Sequence, residues 1–149
     1  MIRGYFGGPG ARLRPFVIAS VSIPHLQIRG TVHFLVDTGA DTTLLAPRDA
    51  KELGLDINSL PQSPPSMGVG GPTPTASTEA TITLDSLSFT ISLRILAPTD
   101  QRQQRSLQFI PSLLGRDIMA HFALFMEERT RRVLLLEPEE VGRLQIPVA

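Results

Sequence analysis

Two aspartates four residues apart, Asp37 and Asp41, are the groups in this chain best placed to do chemistry. They lie in residues 34–45, which read Phe-Leu-Val-Asp-Thr-Gly-Ala-Asp-Thr-Thr-Leu-Leu. Val32, Phe34 and Val36 share one face of an incoming strand, and residues 42–45 have the β-branched and apolar character of an outgoing one. Gly39 permits the sharp turn between them. A carboxylate placed where two buried strands meet is costly to keep charged without partners, which marks Asp37 as a functional candidate. Phosphoryl transfer and metal binding fit this pair poorly. Haloacid-type phosphatases need aspartates two apart, and a calcium loop needs further oxygen ligands at fixed positions. Serine hydrolase motifs are missing.

The segment Val36-Asp37-Thr38-Gly39-Ala40-Asp41-Thr42 resembles the active-site loop of the retropepsin-like aspartic proteases, the retroviral protease family and its cellular and bacterial relatives. An Asp-Thr-Gly tripeptide alone is weak evidence, but the hydrophobic flanks and the following Ala-Asp-Thr strengthen it. The resemblance implies an all-β fold, a closed β-barrel forming one half of an acid protease, with one or two short helices. It also implies an aspartic endopeptidase that hydrolyses a protein or peptide substrate, without cofactor or metal. Only one Asp-Thr-Gly is present, and 149 residues are too few for two complete lobes. The second carboxylate would therefore come from a second copy, in a homodimer with Asp37 of each chain at the two-fold axis. Two facing carboxylates hold one proton between them. The charged member can take a proton from water while the other polarises the peptide carbonyl. In the family, Thr38 and Gly39 support the active-site loop. Gly39, Ala40 and Asp41 border the substrate.

Composition limits the alternatives. The formal net charge is zero and there are no cysteines, so no broad basic surface argues for nucleic acid, and disulfides and thiol catalysis are excluded. A cytoplasmic location is the expectation compatible with that composition. No apolar run approaches the roughly 20 residues of a membrane span. The first residues lack the continuous apolar core of a signal peptide. His25, His33 and His121 match no common metal spacing. Arg129, Arg131 and Arg132 read as a solvated hairpin turn rather than an anion site.

Along the chain, residues 1–13 are rich in glycine and read as a flexible N-terminal arm. The protease domain is expected over 14–137, and 138–149 as a C-terminal tail whose residues 144–148 could add an interface strand. Arg14-Pro15 precedes the first long strand, and its resemblance to the start of the retroviral enzymes implies that Arg14 could meet a carboxylate across the dimer. Strands are expected over 16–23 and 26–29, with a turn at Gly30-Thr31 before the strand that ends at Asp37. A short helix follows Leu45, with Pro47 at its start, Gly54 at its end, and Asp49 and Glu52 exposed. Residues 60–78 carry five prolines around Gly68-Val69-Gly70-Gly71. In the family this is the flap, a hairpin that closes over the site, with Gly68, Val69 and Gly70 against the peptide. Period-two strands follow over 75–84 and 88–96, with Ala80, Ile82, Leu84, Phe89, Ile91, Leu93 and Ile95 facing the core. Residues 98–108 read as an exposed loop.

Residues 109–118, Phe-Ile-Pro-Ser-Leu-Leu-Gly-Arg-Asp-Ile, resemble the family's second signature, a strand passing beneath the aspartate loop into a helix over 116–121. In that reading Arg116 pairs with Asp41 as a structural ion pair. A hairpin of residues 123–126 and 132–136 completes the domain. The alternative to an enzyme is a dimeric peptide-binding or assembly module that keeps this fold without turnover.

Overall fold

The structure, a computed structural model, describes residues 1–68 and 71–147. Eleven strands and four short helices follow in the order β1 (Ile2–Arg3), β2 (Tyr5–Gly7), β3 (Arg14–Ile23), β4 (Ile28–Val36), β5 (Leu44–Leu45), α1 (Pro47–Glu52), β6 (Gln62–Gly68), β7 (Gly71–Leu84), β8 (Leu87–Leu96), α2 (Gln101–Leu107), β9 (Ser112–Leu114), α3 (Arg116–Met119), β10 (Ala123–Glu127), β11 (Arg132–Leu136) and α4 (Pro138–Arg143). The main sheet runs β2-β3-β4-β9-β5-β8-β7-β6, and β3 also pairs with β7. That extra pairing joins the sheet to itself, so β3, β4, β9, β5, β8 and β7 form a ring around the core. A smaller sheet, β1-β11-β10, packs beside it.

Alternation explains the core. Val17, Ala19, Val21 and Ile23 of β3 face inward, as do Val32, Phe34 and Val36 of β4. Ala80, Ile82 and Leu84 of β7 and Leu93 and Ile95 of β8 join the same core, while Phe89 and Ile91 are half-buried. Phe34 and Leu114 are fully buried where β4 and β9 run side by side; burial of a side chain of this size contributes about 1.5–3 kcal/mol.

The ends of the chain differ from expectation. Residues 1–13 carry two strands rather than a free arm. Ile2 is buried opposite Leu135, Tyr5 stacks on Phe16, and the Tyr5 hydroxyl lies 2.5 Å from His33 Nδ1. Burial raises the Tyr5 phenol above its ordinary value. The glycines that suggested mobility separate short strands instead. Arg14 pairs across from Gly7 and stacks over the Phe16 ring within its own chain. Residues 138–147 contain α4 and no strand; Val148 lies outside the described residues. Proline at the first helical turn and the reciprocal Glu137–Glu140 capping box start that helix.

Two internal expectations also change. The Gly30-Thr31 turn is absent, because β4 runs through it. The chain reverses at Pro24–Leu26 instead, where Gln27 takes a left-handed conformation with φ 55°. At Gly30 the end of the Leu53 side chain packs where a Cβ would sit, so a larger residue there would have to displace it. Residues 98–108 hold helix α2, started by Asp100, whose Oδ1 accepts the Gln103 N–H at 2.7 Å. In the β10–β11 hairpin, Arg132 and Arg129 both bind Glu127. The Arg132 hydrogen bond, ahead of the weaker Arg129 contact, holds that carboxyl below the usual range.

Candidate active site

The aspartate loop is built on paired strands. β4 and β9 run parallel with Val36 opposite Leu114, and the Asp37 N–H continues the ladder by donating to the Leu114 carbonyl at 3.2 Å. The chain then turns. The Ala40 N–H donates to the Asp37 carbonyl at 3.2 Å, and the Gly39 N–H donates to Asp37 Oδ1 at 2.9 Å. That last bond fixes the carboxylate orientation from within the loop. The returning chain is held by α3, whose Arg116 and Asp117 N–H groups donate to the carbonyls of Ala40 and Asp41 at 2.9 and 3.1 Å.

Beneath the loop the two chain segments are nearly in contact. Gly115 lies against the Thr42–Thr43 peptide. A Cβ at Gly115 would sit 2.5 Å from the Thr42 carbonyl oxygen and 2.7 Å from the Thr43 nitrogen. Thr43 is fully buried, and its hydroxyl accepts the Gly115 N–H at 3.1 Å while donating to Asp117 Oδ1 at 2.7 Å. The Asp117 carboxylate also accepts the Thr43 N–H, 3.0 Å from Oδ2, and the Ile118 N–H at 2.9 Å. Asp117 thus stitches the outgoing arm of the loop to α3. Removing it in Asp117→Ala leaves the buried Thr43 N–H, and the donor side of its hydroxyl, unpaired. A loss of about 2 kcal/mol is expected in urea unfolding, with Asp117→Asn intermediate.

Arg116 Nη2 donates to Asp41 Oδ1. Both side chains are largely exposed, so this ion pair positions the loop rim more than it stabilises the fold. The stronger constraint is the neighbouring Asp117. A second constraint absent from the sequence reading is Ser112, fully buried on β9. Its hydroxyl donates to Asp49 Oδ2 at 2.5 Å and accepts the Ala46 N–H at 2.8 Å. Asp49 is therefore half-buried and anchors α1 to β9 rather than standing in solvent. Ser and Asp of this kind carry no spacing signal, because their partners lie more than sixty residues away.

Asp37, Gly39, Ala40, Asp41, Thr42 and Leu44 line a cleft of about 300 Å³ together with Ser66, Met67, Arg94 and Leu113. Thr38 faces the other way, into an apolar groove it shares with Asp41, Arg116, Met119 and Leu124. The β6–β7 hairpin forms the flap-like wall of the cleft. Gly68 ends β6 and pairs with Gly71, while Val69 and Gly70 lie outside the described residues. Ser66, Met67 and Arg94 were not anticipated as cleft residues. For Arg94 the available signal was its place opposite the core-facing Leu93 and Ile95.

An aspartyl protease family model matches residues 17–118. Among solved structures, the chain is similar to a retropepsin-like aspartic protease from Rickettsia conorii, with 19% identity, a TM-score of 0.54, and coverage of 80% of this chain and 81% of that one. It is also similar to EIAV protease complexed with the inhibitor HBY-793, with 24% identity, a TM-score of 0.53, and coverage of 76% and 92%. No curated protein sequence matches the chain. With the ring of strands, the aspartate turn at the end of the parallel pair β4 and β9, and the family match across that whole unit, the chain belongs to the aspartyl protease family and has a retropepsin-like fold.

Proposed function

We propose that the protein is a homodimeric aspartic endopeptidase, each subunit supplying Asp37. The observation that carries this reading is the aspartate turn. One carboxylate lines a cleft of about 300 Å³ and is oriented by its own Gly39 N–H, on a loop pinned by Leu114 and by α3. A single carboxylate cannot both accept a proton from water and donate one to the substrate carbonyl, so the site is incomplete without a second copy. Paired across a two-fold axis, the two Asp37 groups share one proton. The ionised member activates a water between them, and the protonated member polarises the peptide carbonyl. The tetrahedral intermediate then collapses as the proton passes to the leaving amine, with no covalent enzyme intermediate. Gly39 leaves backbone open to an extended peptide, which the flap hairpin covers as an added strand. Thr38 and Gly39 act through the shape of the loop.

Incubation with an unfolded protein from about pH 3 to 7, alongside sedimentation over a concentration series, tests this reading. Internal cleavage and a dimer at the active concentrations are expected. A chain that stays monomeric while it cleaves would contradict the divided site. Stoichiometric peptide binding with no cleavage would reduce the protein to a binding module.

A further inference from the structure

Among the described residues, Arg94 is the one cationic side chain lining the cleft that holds Asp37. It sits on β8, paired in register with Leu44 of the strand leaving the aspartate loop and with Ser77 of β7. Leu93 and Ile95 on either side are fully buried, so alternation turns Arg94 to the opposite face, toward the flap. Its guanidinium donates through Nη2 to the Pro64 carbonyl and to Thr75 Oγ1 at 3.2 Å, which ties it to both flap strands. Nε is buried and lacks a hydrogen-bond partner among the described residues. No carboxylate among them forms an ion pair with Arg94. A half-buried guanidinium without an ion-pair partner is an incomplete arrangement, since such groups are normally paired. The charged groups sharing its cleft, Asp37 and Asp41, belong to the aspartate loop, and Asp41 is taken up by Arg116.

We propose that Arg94 forms a specificity subsite for an acidic substrate side chain. A peptide lying as an extended strand between the aspartate loop and β6 would place a Glu or Asp carboxylate against the guanidinium. With Nε enclosed and Nη2 bonded to the flap strands, Nη1 is the donor left to meet a carboxylate, in a charge-assisted hydrogen bond. Existing bonds to Pro64 and Thr75 orient the group in advance. This inference rests on the protease reading and names the substrate class for the same cleft.

The test is cleavage of a mixed-sequence peptide library by the intact protein, read by mass spectrometry, followed by Glu/Gln pairs of the best substrate at each position around the cut. At one position the Glu peptide is expected to be favoured in kcat/KM by about tenfold or more. That preference should fade below about pH 4, where the substrate Glu takes up its proton. Arg94→Lys should keep part of the preference, and Arg94→Met should bring the Glu/Gln ratio near one. Were Arg94 only a strut for the flap, Arg94→Met would lower both rates and leave their ratio unchanged.

Cleavage by the wild type with no acidic preference anywhere would overturn the subsite and leave the protease reading standing. For a wild type that cleaves nothing, fluorescence polarisation of the Asp37→Asn protein with library-derived Glu and Gln peptides decides the matter. Tighter binding of the Glu peptide supports the subsite without catalysis, and equal or absent binding overturns both.

Discussion

Replacing Asp37 by Asn is expected to lower kcat/KM by about 10²–10⁴-fold while leaving the fold intact, because it removes the ionisable oxygen pair from both subunits at once. The amide oxygen of Asn can still accept the Gly39 N–H that now binds Asp37 Oδ1 at 2.9 Å, so the turn keeps its internal hydrogen bond. Urea unfolding and sedimentation of the variant should match the wild type. The loss should fall mainly on kcat, since a peptide added to the flap is held chiefly by backbone contacts away from the dyad. Residual cleavage equal to wild type would mean that another group activates the water. A variant that fails to fold would instead mean that Asp37 is a structural residue.

The second large effect is on the fold beneath the site. Gly115→Ala places a methyl 2.5 Å from the Thr42 carbonyl oxygen and 2.7 Å from the Thr43 nitrogen. Both are backbone atoms on the arm that leaves the aspartate turn, so no side-chain rotation relieves the clash. Either β9 and the loop separate, or the Thr43–Asp117 bonds are lost. A destabilisation of about 3 kcal/mol is expected, the upper part of the range for overpacked sites. In a domain of this size that lowers Tm by roughly 10 °C. Activity should fall with it, because the same shift moves Asp37. Gly142→Ala is the control. It lies in α4 with nothing within 4 Å of a new Cβ, and the extra methyl should be neutral or slightly stabilising. Equal Tm losses in both variants would show that the close approach at Gly115 is not what limits substitution there.

What could be read from the sequence was whatever depends on neighbours in sequence. Period-two alternation placed β7 and β8 and named the inward faces of Ile82, Leu93 and Ile95. The strand-turn-strand pattern of residues 34–45 and the Leu-Leu-Gly-Arg-Asp segment marked the two arms that meet at the site. What escaped were contacts made across the fold. Asp117 was read only as a partner in a helix start, although its carboxylate binds Thr43 on the far arm. Asp49 looked like a solvated helix residue because Ser112, which binds it, lies on β9. The first residues looked mobile because glycine raises chain freedom, and the pairing of Ile2 with Leu135 that overrides it joins opposite ends of the chain. Arg94 carries in the sequence only the alternation that sets it between Leu93 and Ile95, because its bonds to Pro64 and Thr75 are made across the fold.

Mixing is the most direct measurement of a site divided between subunits. Wild type and Asp37→Asn protein, both folded, are combined at fixed total concentration, exchanged to equilibrium, and assayed on one peptide as the wild-type fraction is varied. If each active site needs an Asp37 from both chains, activity falls with the square of the wild-type fraction, to about one quarter at an equal mixture. A linear fall, to about one half, would show that each chain carries a complete site of its own and would contradict the account.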